Sequence, residues 1–275
     1  MVFFPNAKIN IGLNIIGKRA DGFHNLETVF FPIAVKDAVE IIEGNGASTD
    51  VELSVTGNRI NVPYHENLCV KAYHLLHKDF AQVPPVKIHL HKNIPMGAGL
   101  GGGSADASAI LLLLNKKFQL NIPTDKLLEY ALQLGSDCPF FILNKPCFAT
   151  GRGEILQEIN LDLSLYKIMI VHPGIHVNTG EAFVELNSNN FSHAGELITQ
   201  IKQDISLWKN IIKNDFEVSV FKKHSAIKDI KEKMYSEGAV YSAMSGSGSA
   251  VFGIFLKGNN TANIKFPSHY FYQMV

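Results

Sequence analysis

The sequence predicts an α+β protein of two domains, and three observations lead there. In the first half, segments alternating with period two give way to Ala- and Leu-rich stretches of helical character. The second half mixes strand and helix patterns again, past a boundary expected within Gln157 to Ser164. A glycine-rich run from Gly97 to Gly103 stands between a strand pattern and a helix pattern. At 275 residues, 46% of them hydrophobic, the chain can form one large or two medium domains. The expected division is 1–158 and 159–275.

The elements follow in order. Ile9 to Ile16 alternates apolar with small or polar residues, the sign of a half-buried strand. Thr28 to Ile33, Ala38 to Ile42 and Val51 to Val55 continue the strand series. Asn67 is a fitting helix cap, with Leu68, Ala72, Leu75 and Leu76 at helical spacing behind it. Val86 to His91 alternates again and runs into the glycines. A strong helix is predicted from Ser104 to Phe118 and a second from a Thr124 cap to Leu134. Ser136 to Leu143 opens a short helix, with Pro139 in its first turn. Further on, Tyr166 to Val171 is a strand that His172-Pro-Gly174 breaks. Helices are predicted over Thr179 to Leu186, Glu196 to Lys202, Asn210 to Phe221 and Ser225 to Ser236. Strands Ala239 to Ala243 and Ala250 to Phe255 flank a turn at Ser245 to Gly248.

Composition narrows the partners. Twenty-five basic and 25 acidic residues leave a formal net charge of zero, which disfavours a polyanion such as nucleic acid as main partner. A small polyanion needs only a local site. Cys69, Cys138 and Cys147 are scattered, with no CxxC pair or Cys/His metal spacing, so the expectation is reduced thiols in the cytoplasm and no metal site. The N-terminus lacks a basic and then apolar leader, and the aliphatic run Ile110 to Leu114 is far short of a membrane span. Oligomeric state is not legible.

Five glycines in seven residues are costly to order, and the cost is offset where backbone must approach a ligand closely. At a strand-to-helix junction, free N–H groups and the positive end of the helix dipole converge into an anion site. Gly97, Gly99 and Gly102 match GxGxxG, but a dinucleotide unit would place a second strand where Asn115 to Lys126 reads as helix end and loop. Gly12 to Lys18 approaches a Walker A loop, yet Arg19 stands where Ser or Thr must be. No HRD or DFG signature of a protein kinase is present. Phosphoryl transfer also needs a base and compensating charge. Asp137, before Cys-Pro-Phe-Phe, is either a helix-capping carboxylate or such a base. Lys8, between Ala7 and Ile9 in a strand, reads by itself as a surface lysine.

The segment Pro95-Met-Gly-Ala-Gly-Leu-Gly-Gly-Gly-Ser-Ala105 resembles the phosphate loop of the GHMP kinases. Ala7-Lys-Ile-Asn10, Arg19-Ala-Asp-Gly-Phe-His24, Gly135-Ser-Asp-Cys-Pro-Phe-Phe141, His172-Pro-Gly174 and Ser245-Gly-Ser-Gly248 occur in the order of its cytidyl-substrate branch, which serves the non-mevalonate isoprenoid pathway. The motifs run from residue 5 to residue 255.

The resemblance implies an N-terminal domain like ribosomal protein S5 domain 2 and a ferredoxin-like C-terminal domain. It implies an ATP-dependent kinase acting on a methylerythritol 2-hydroxyl, with homoserine and mevalonate kinases as alternatives. ATP would bind along Pro95, Met96, Gly97, Ala98, Gly99, Leu100, Gly101, Gly102, Gly103, Ser104 and Ala105, with Mg2+ accompanying it on charge grounds. Asp137 would be the base and Lys8 would orient the hydroxyl, with Asn10 lining the same pocket. Phe23 and Phe183 would stack on the pyrimidine, His24 would bond its edge, and Thr179 would contact substrate or cap its helix. Without the resemblance, Phe23 and Phe183 read as core aromatics. Ala105 and Phe23 depart from the usual Ser and Tyr, and Ser136 replaces a common Ala.

Overall fold

The alternating segments become strands, and the structure, a computed structural model, describes residues 1–44, 50–184 and 191–275. In chain order the strands are β1 (Val2–Phe3), β2 (Asn6–Lys18), β3 (His24–Lys36), β4 (Ala38–Glu43), β5 (Glu52–Gly57) and β6 (Val86–Lys92), then β7 (Cys147–Thr150), β8 (Ile155–Glu158), β9 (Tyr166–His172), β10 (Tyr241–Met244), β11 (Val251–Leu256) and β12 (Phe271–Met274). The helices are α1 (Leu68–Asp79), α2 (Gly102–Lys117), α3 (Thr124–Leu134), α4 (Cys138–Leu143), α5 (Thr179–Val184), α6 (Glu196–Gln200), α7 (Ile205–Ile211), α8 (Glu217–Lys223) and α9 (Ser225–Ser236). Two compact units emerge, each discontinuous in sequence. One comprises Met1–Ala7, Ala34–Met96 and Gly101–Lys145; the other comprises Lys8–Ile33, Gly97–Leu100 and Pro146–Val275.

The first unit carries a sheet in the order β1-β4-β6-β5. β4 and β6 are antiparallel, while β5 and β6 are parallel and joined across α1. Asn67 caps α1 as expected, its side chain accepting from Cys69 N at 2.9 Å. Ala107, Ile110, Leu111 and Leu114 of α2 share a buried core with Ile41, Ile88 and Leu90 of the sheet and Val70, Tyr73 and Leu76 of α1. The alanines of α2 set its fit: small side chains let it sink until nearly its whole length is buried. After α2 comes α3, so no second strand follows the glycines.

The second unit contains the sheet β2-β3-β7-β8 and an antiparallel sheet in the order β10-β11-β9-β12. Numbered from β9, that order is 2-3-1-4, the ferredoxin-like arrangement. The connection from β9 to β10 holds α5 to α9, whereas that from β11 to β12 holds no helix among the described residues.

Three expectations shift. The helix expected over Asn210 to Phe221 is two, α7 and α8, separated by a non-helical step at Ile212 to Asn214 that bridges Leu13 of β2. There Asn214 Oδ1 accepts from Phe216 N at 3.0 Å, a side-chain turn just ahead of α8 that an uninterrupted helix would forbid. Thr124 is not a cap; Pro123 holds that position and Thr124 is the first helical residue. The helix from Thr179 is described to Val184, and Glu185 and Leu186 lie outside the described residues.

Candidate active site

The glycine run is straddled by the units: Gly97 to Leu100 belong to the second, Gly101 to Ala105 to the first, along with Pro95 and Met96. Gly97, Gly99 and Gly101 all have positive φ, so every second residue is left-handed. Gly99 shows why glycine is required: a Cβ there would lie 2.0 Å from the carbonyl oxygen of Ser245. The carbonyls of this stretch face the protein. Ala98 O accepts from Ala250 N (3.0 Å), Gly99 O from Ser245 Oγ (2.8 Å) and Leu100 O from Lys8 N (3.0 Å). Among the described residues, no backbone N–H from Gly99 to Ser104 meets a protein acceptor. Gly102, Gly103 and Ser104 are the first turn of α2, where the helix supplies no acceptor and no acidic side chain competes. Carbonyls turned in and amides left free make an anion cradle.

Asp137 stands at the N-cap position of α4 yet makes no capping hydrogen bond, so of the two roles open from sequence the cap is not taken. Ser108 Oγ of α2 donates to Cys138 O at 2.9 Å, and Ser104 hydrogen-bonds the Cys138 thiol. The start of α2 and the Asp137 segment are therefore neighbours within the first unit.

Lys8 corrects the sequence reading: it is 3% exposed, not a surface lysine. Nζ donates to Asn10 Oδ1 at 2.6 Å and lies 4.9 Å from the Phe30 ring centre. Asn10 Nδ2 donates to Thr28 Oγ1 (2.9 Å), whose own proton goes to Gly12 O (2.6 Å). This chain fixes the orientation of the Asn10 amide. Ser245 Oγ accepts from Asn10 N at 3.2 Å, joining the Ser245–Gly248 turn to the same cluster.

The Arg19–His24 turn joins β2 to β3. Arg19 pairs with Asp21 (Nη2 to Oδ2, 2.9 Å), and Phe23 N donates to Asp21 Oδ1 at 3.1 Å. Phe23 at its tip is 53% exposed, with the Arg152 guanidinium 4.7 Å above its ring. His24 is half-buried and stacks on Phe183, which meets Phe216 edge-on at 4.8 Å. Neither aromatic is fully buried core. Burial, with Lys18 adding, lowers the His24 pKa, so its ring is neutral at pH 7. Thr179 Oγ1 shares a 2.7 Å hydrogen bond with Ser247 Oγ, in the turn that carries Ser245.

Sequence reasoning missed a buried charge cluster beside the loop. Lys92 Nζ is wholly buried between Asp37 and Asp106, 2.8 Å from Asp106 Oδ2. Asp37 Oδ1 also accepts from Asn93 N (2.6 Å) and Ile94 N (2.8 Å). One cation thus faces two carboxylates, and Asp37 is the better hydrogen-bonded. Burial pushes Asp106 up to about 8 despite the opposing pull of Lys92. Burial acts against the charged form of Lys92 too, but the two carboxylates prevail and raise its pKa. Oδ1 of Asp106 is buried without a partner. The Asp106 residue is among those lining a cavity of about 140 Å³, with Ile60, Glu66, Asn67, Leu90, Met96 and Gly103. Only pairing in space, not spacing in sequence, marks these residues out.

Against known proteins, residues 67–145 match the model of the GHMP kinases N terminal domain and residues 188–265 that of the GHMP kinases C terminal domain. The chain belongs to the GHMP kinases, has their two-domain fold, and is an ATP-dependent small-molecule kinase. Among its relatives, the protein named 4-diphosphocytidyl-2-C-methyl-D-erythritol kinase from Bacteroides fragilis is 49% identical over 273 residues, 99% of this chain and 98% of that protein. The protein of the same name from Bacteroides thetaiotaomicron is 50% identical over 255 residues, 93% of this chain and 92% of its own. A crystal structure of 4-(cytidine 5'-diphospho)-2C-methyl-D-erythritol kinase superposes with a TM-score of 0.79 at 30% identity, covering 92% of this chain and 90% of that one. Homoserine kinase from Cytophaga hutchinsonii superposes at 0.74 with 16% identity, covering 99% and 93%, a likeness of fold alone. No helix among the described residues is long and apolar enough to cross a membrane.

Proposed function

We infer that the chain transfers the γ-phosphoryl group of ATP to the 2-hydroxyl of 4-diphosphocytidyl-2-C-methyl-D-erythritol. The products are the 2-phosphate and ADP, in the non-mevalonate route to isoprenoid precursors, and the reaction is cytoplasmic. The identity of relatives over nearly their whole length supports the substrate. The observation that carries the chemistry is the run of free N–H groups from Gly99 to Ser104 backed by inward carbonyls.

The phosphates of ATP lie along Pro95 to Ala105, and the Ser104 hydroxyl is the side-chain donor there, since Ala105 has none. The mostly apolar cavity beside Gly103, with Glu66 and Asn67 in its wall, suits the adenine base. Asp137 takes the proton of the acceptor hydroxyl as phosphorus is attacked. Lys8 and Asn10, held in one orientation, position that hydroxyl, and the Lys8 charge offsets the developing negative charge. Phe23, His24, Phe183 and Thr179 receive the cytidine. No group of three or more His, Cys, Asp or Glu that could hold a metal ion exists among the described residues. On charge grounds Mg2+ accompanies the nucleotide's phosphates, whose charge it neutralises. The division at 158/159 separates the nucleotide and base residues from a C-terminal domain bearing Thr179, Phe183 and the Ser245 turn.

The test is ADP release from the purified protein with ATP and, in separate reactions, the cytidyl diphosphate, homoserine and mevalonate. Turnover with the first alone is expected. Turnover with homoserine or mevalonate and none with the cytidyl compound would overturn the assignment.

A further inference from the structure

We propose that Asn214 is a positioning residue for phosphoryl transfer, holding the Ser245–Gly248 turn against Asn10 and Gly99. The inference rests on the reading that Lys8, Asn10 and Gly97 to Leu100 belong to the reaction site. Asn214 is 2% exposed, and its amide is used at both ends. Nδ2 donates to Met244 O and to Gly246 O, each at 2.8 Å, bracketing Ser245 from either side. Oδ1 accepts from Phe216 N at 3.0 Å. Its backbone is held too: Leu13 N donates to Lys213 O and Asp215 N to Leu13 O, both at 2.9 Å.

What Asn214 grips is pressed against the site. Ser245 Oγ accepts from Asn10 N and donates to Gly99 O. A Cβ at Gly246 would lie 3.3 Å from Gly99 Cα and 3.4 Å from Asn10 Oδ1, so little slack separates turn, loop and amide. The next three residues anchor the same step. Asp215 Oδ2 accepts from Ile15 N (2.7 Å), Phe216 packs on Phe183, and Glu217 Oε1 accepts from Met244 N (2.9 Å). Four consecutive residues thus tie β2, the Ser245 turn and the Phe183 ring together. The chemistry demands a carboxamide: one nitrogen donates twice while its oxygen accepts from Phe216 N in the turn before α8. Aspartate would keep the acceptor for Phe216 N and set a carboxylate against two carbonyls.

The experiment is a double-mutant cycle of N214D and S245A, with kcat and KM measured for both substrates. N214D is expected to lower kcat by roughly 10- to 100-fold through misplacement of the site, with each KM within about threefold of wild type. Because both changes act through one turn, the double variant should fall no more than about threefold below the worse single variant. A folded N214D with kcat within about twofold of wild type, or losses that multiply independently, would overturn the proposal. If N214D is not recovered folded, Asn214→Ser is read by the same criteria; loss of the fold in both reduces Asn214 to a purely structural role and also overturns it. Lys8→Ala separates the two levels. Unchanged kcat there removes the site reading, whereas depressed kcat beside a normal N214D removes this inference alone.

Discussion

The imidazole of His24 lies face to face with the ring of Phe183, centroids 4.8 Å apart and planes 16° from parallel. A histidine thus covers a face of the aromatic proposed to carry the pyrimidine, as a neutral ring of similar size. Phe183→Ala is expected to raise KM for the cytidyl substrate well above any rise for ATP, since base stacking contributes about 1–3 kcal/mol. Steady-state kinetics with each substrate varied in turn decides it. Equal rises would point instead to lost packing on Phe216.

Asp137→Asn preserves shape and removes the proton acceptor. Turnover should fall roughly 10²- to 10⁴-fold, the usual contribution of a general base. ATP affinity, read by equilibrium titration, should stay close to wild type. Near-normal turnover would take the base role away from Asp137.

Lys92→Met leaves the buried Asp37 and Asp106 carboxyls without the cation they share. Breaking a buried pair by removing one partner costs about 3–5 kcal/mol. Denaturant unfolding at pH 7 should show a loss of that order, and Lys92→Arg should show less. A loss no larger than that of an exposed ion pair, about 0–1 kcal/mol, would mean that the cluster is not buried as described.

His172 is buried, its Nε2 lacks a partner, and burial lowers its pKa, against an opposing hydrogen bond with the Ile175 backbone. The folded protein then takes up this proton at lower pH than the unfolded chain does. Stability associated with the neutral ring is therefore present above the ordinary value of 6.5 and is lost as pH falls through the folded pKa. The melting temperature of wild type should drop between about pH 7 and pH 5 more steeply than that of His172→Gln. Parallel curves for the two proteins would show that His172 does not titrate in that range.

The glycine loop, the strand series and α2 were legible because each rests on local chemistry: period-two alternation, glycine density and a run of Ala and Leu express themselves within a few residues. The same holds for the Asn67 cap. Asn210 to Phe221 misled because its residues suit a helix, while the decisive contacts of Asn214 lie with Leu13, Met244 and Gly246, far away in the chain. Lys8 read as a surface residue for the same reason. Besides Asn10 nearby, it meets the Phe30 ring and bonds the Leu100 carbonyl, both distant in the chain. Sequence by itself determined the class of protein and the stretch that cradles phosphate, through resemblance and glycine spacing. Tertiary structure decided which groups are left free to bind. It turned the loop's carbonyls inward, left its amides without partners, and set Asp106 at the wall of a cavity, because hydrogen-bond pairing among distant residues is settled by the fold and not by neighbours in the chain.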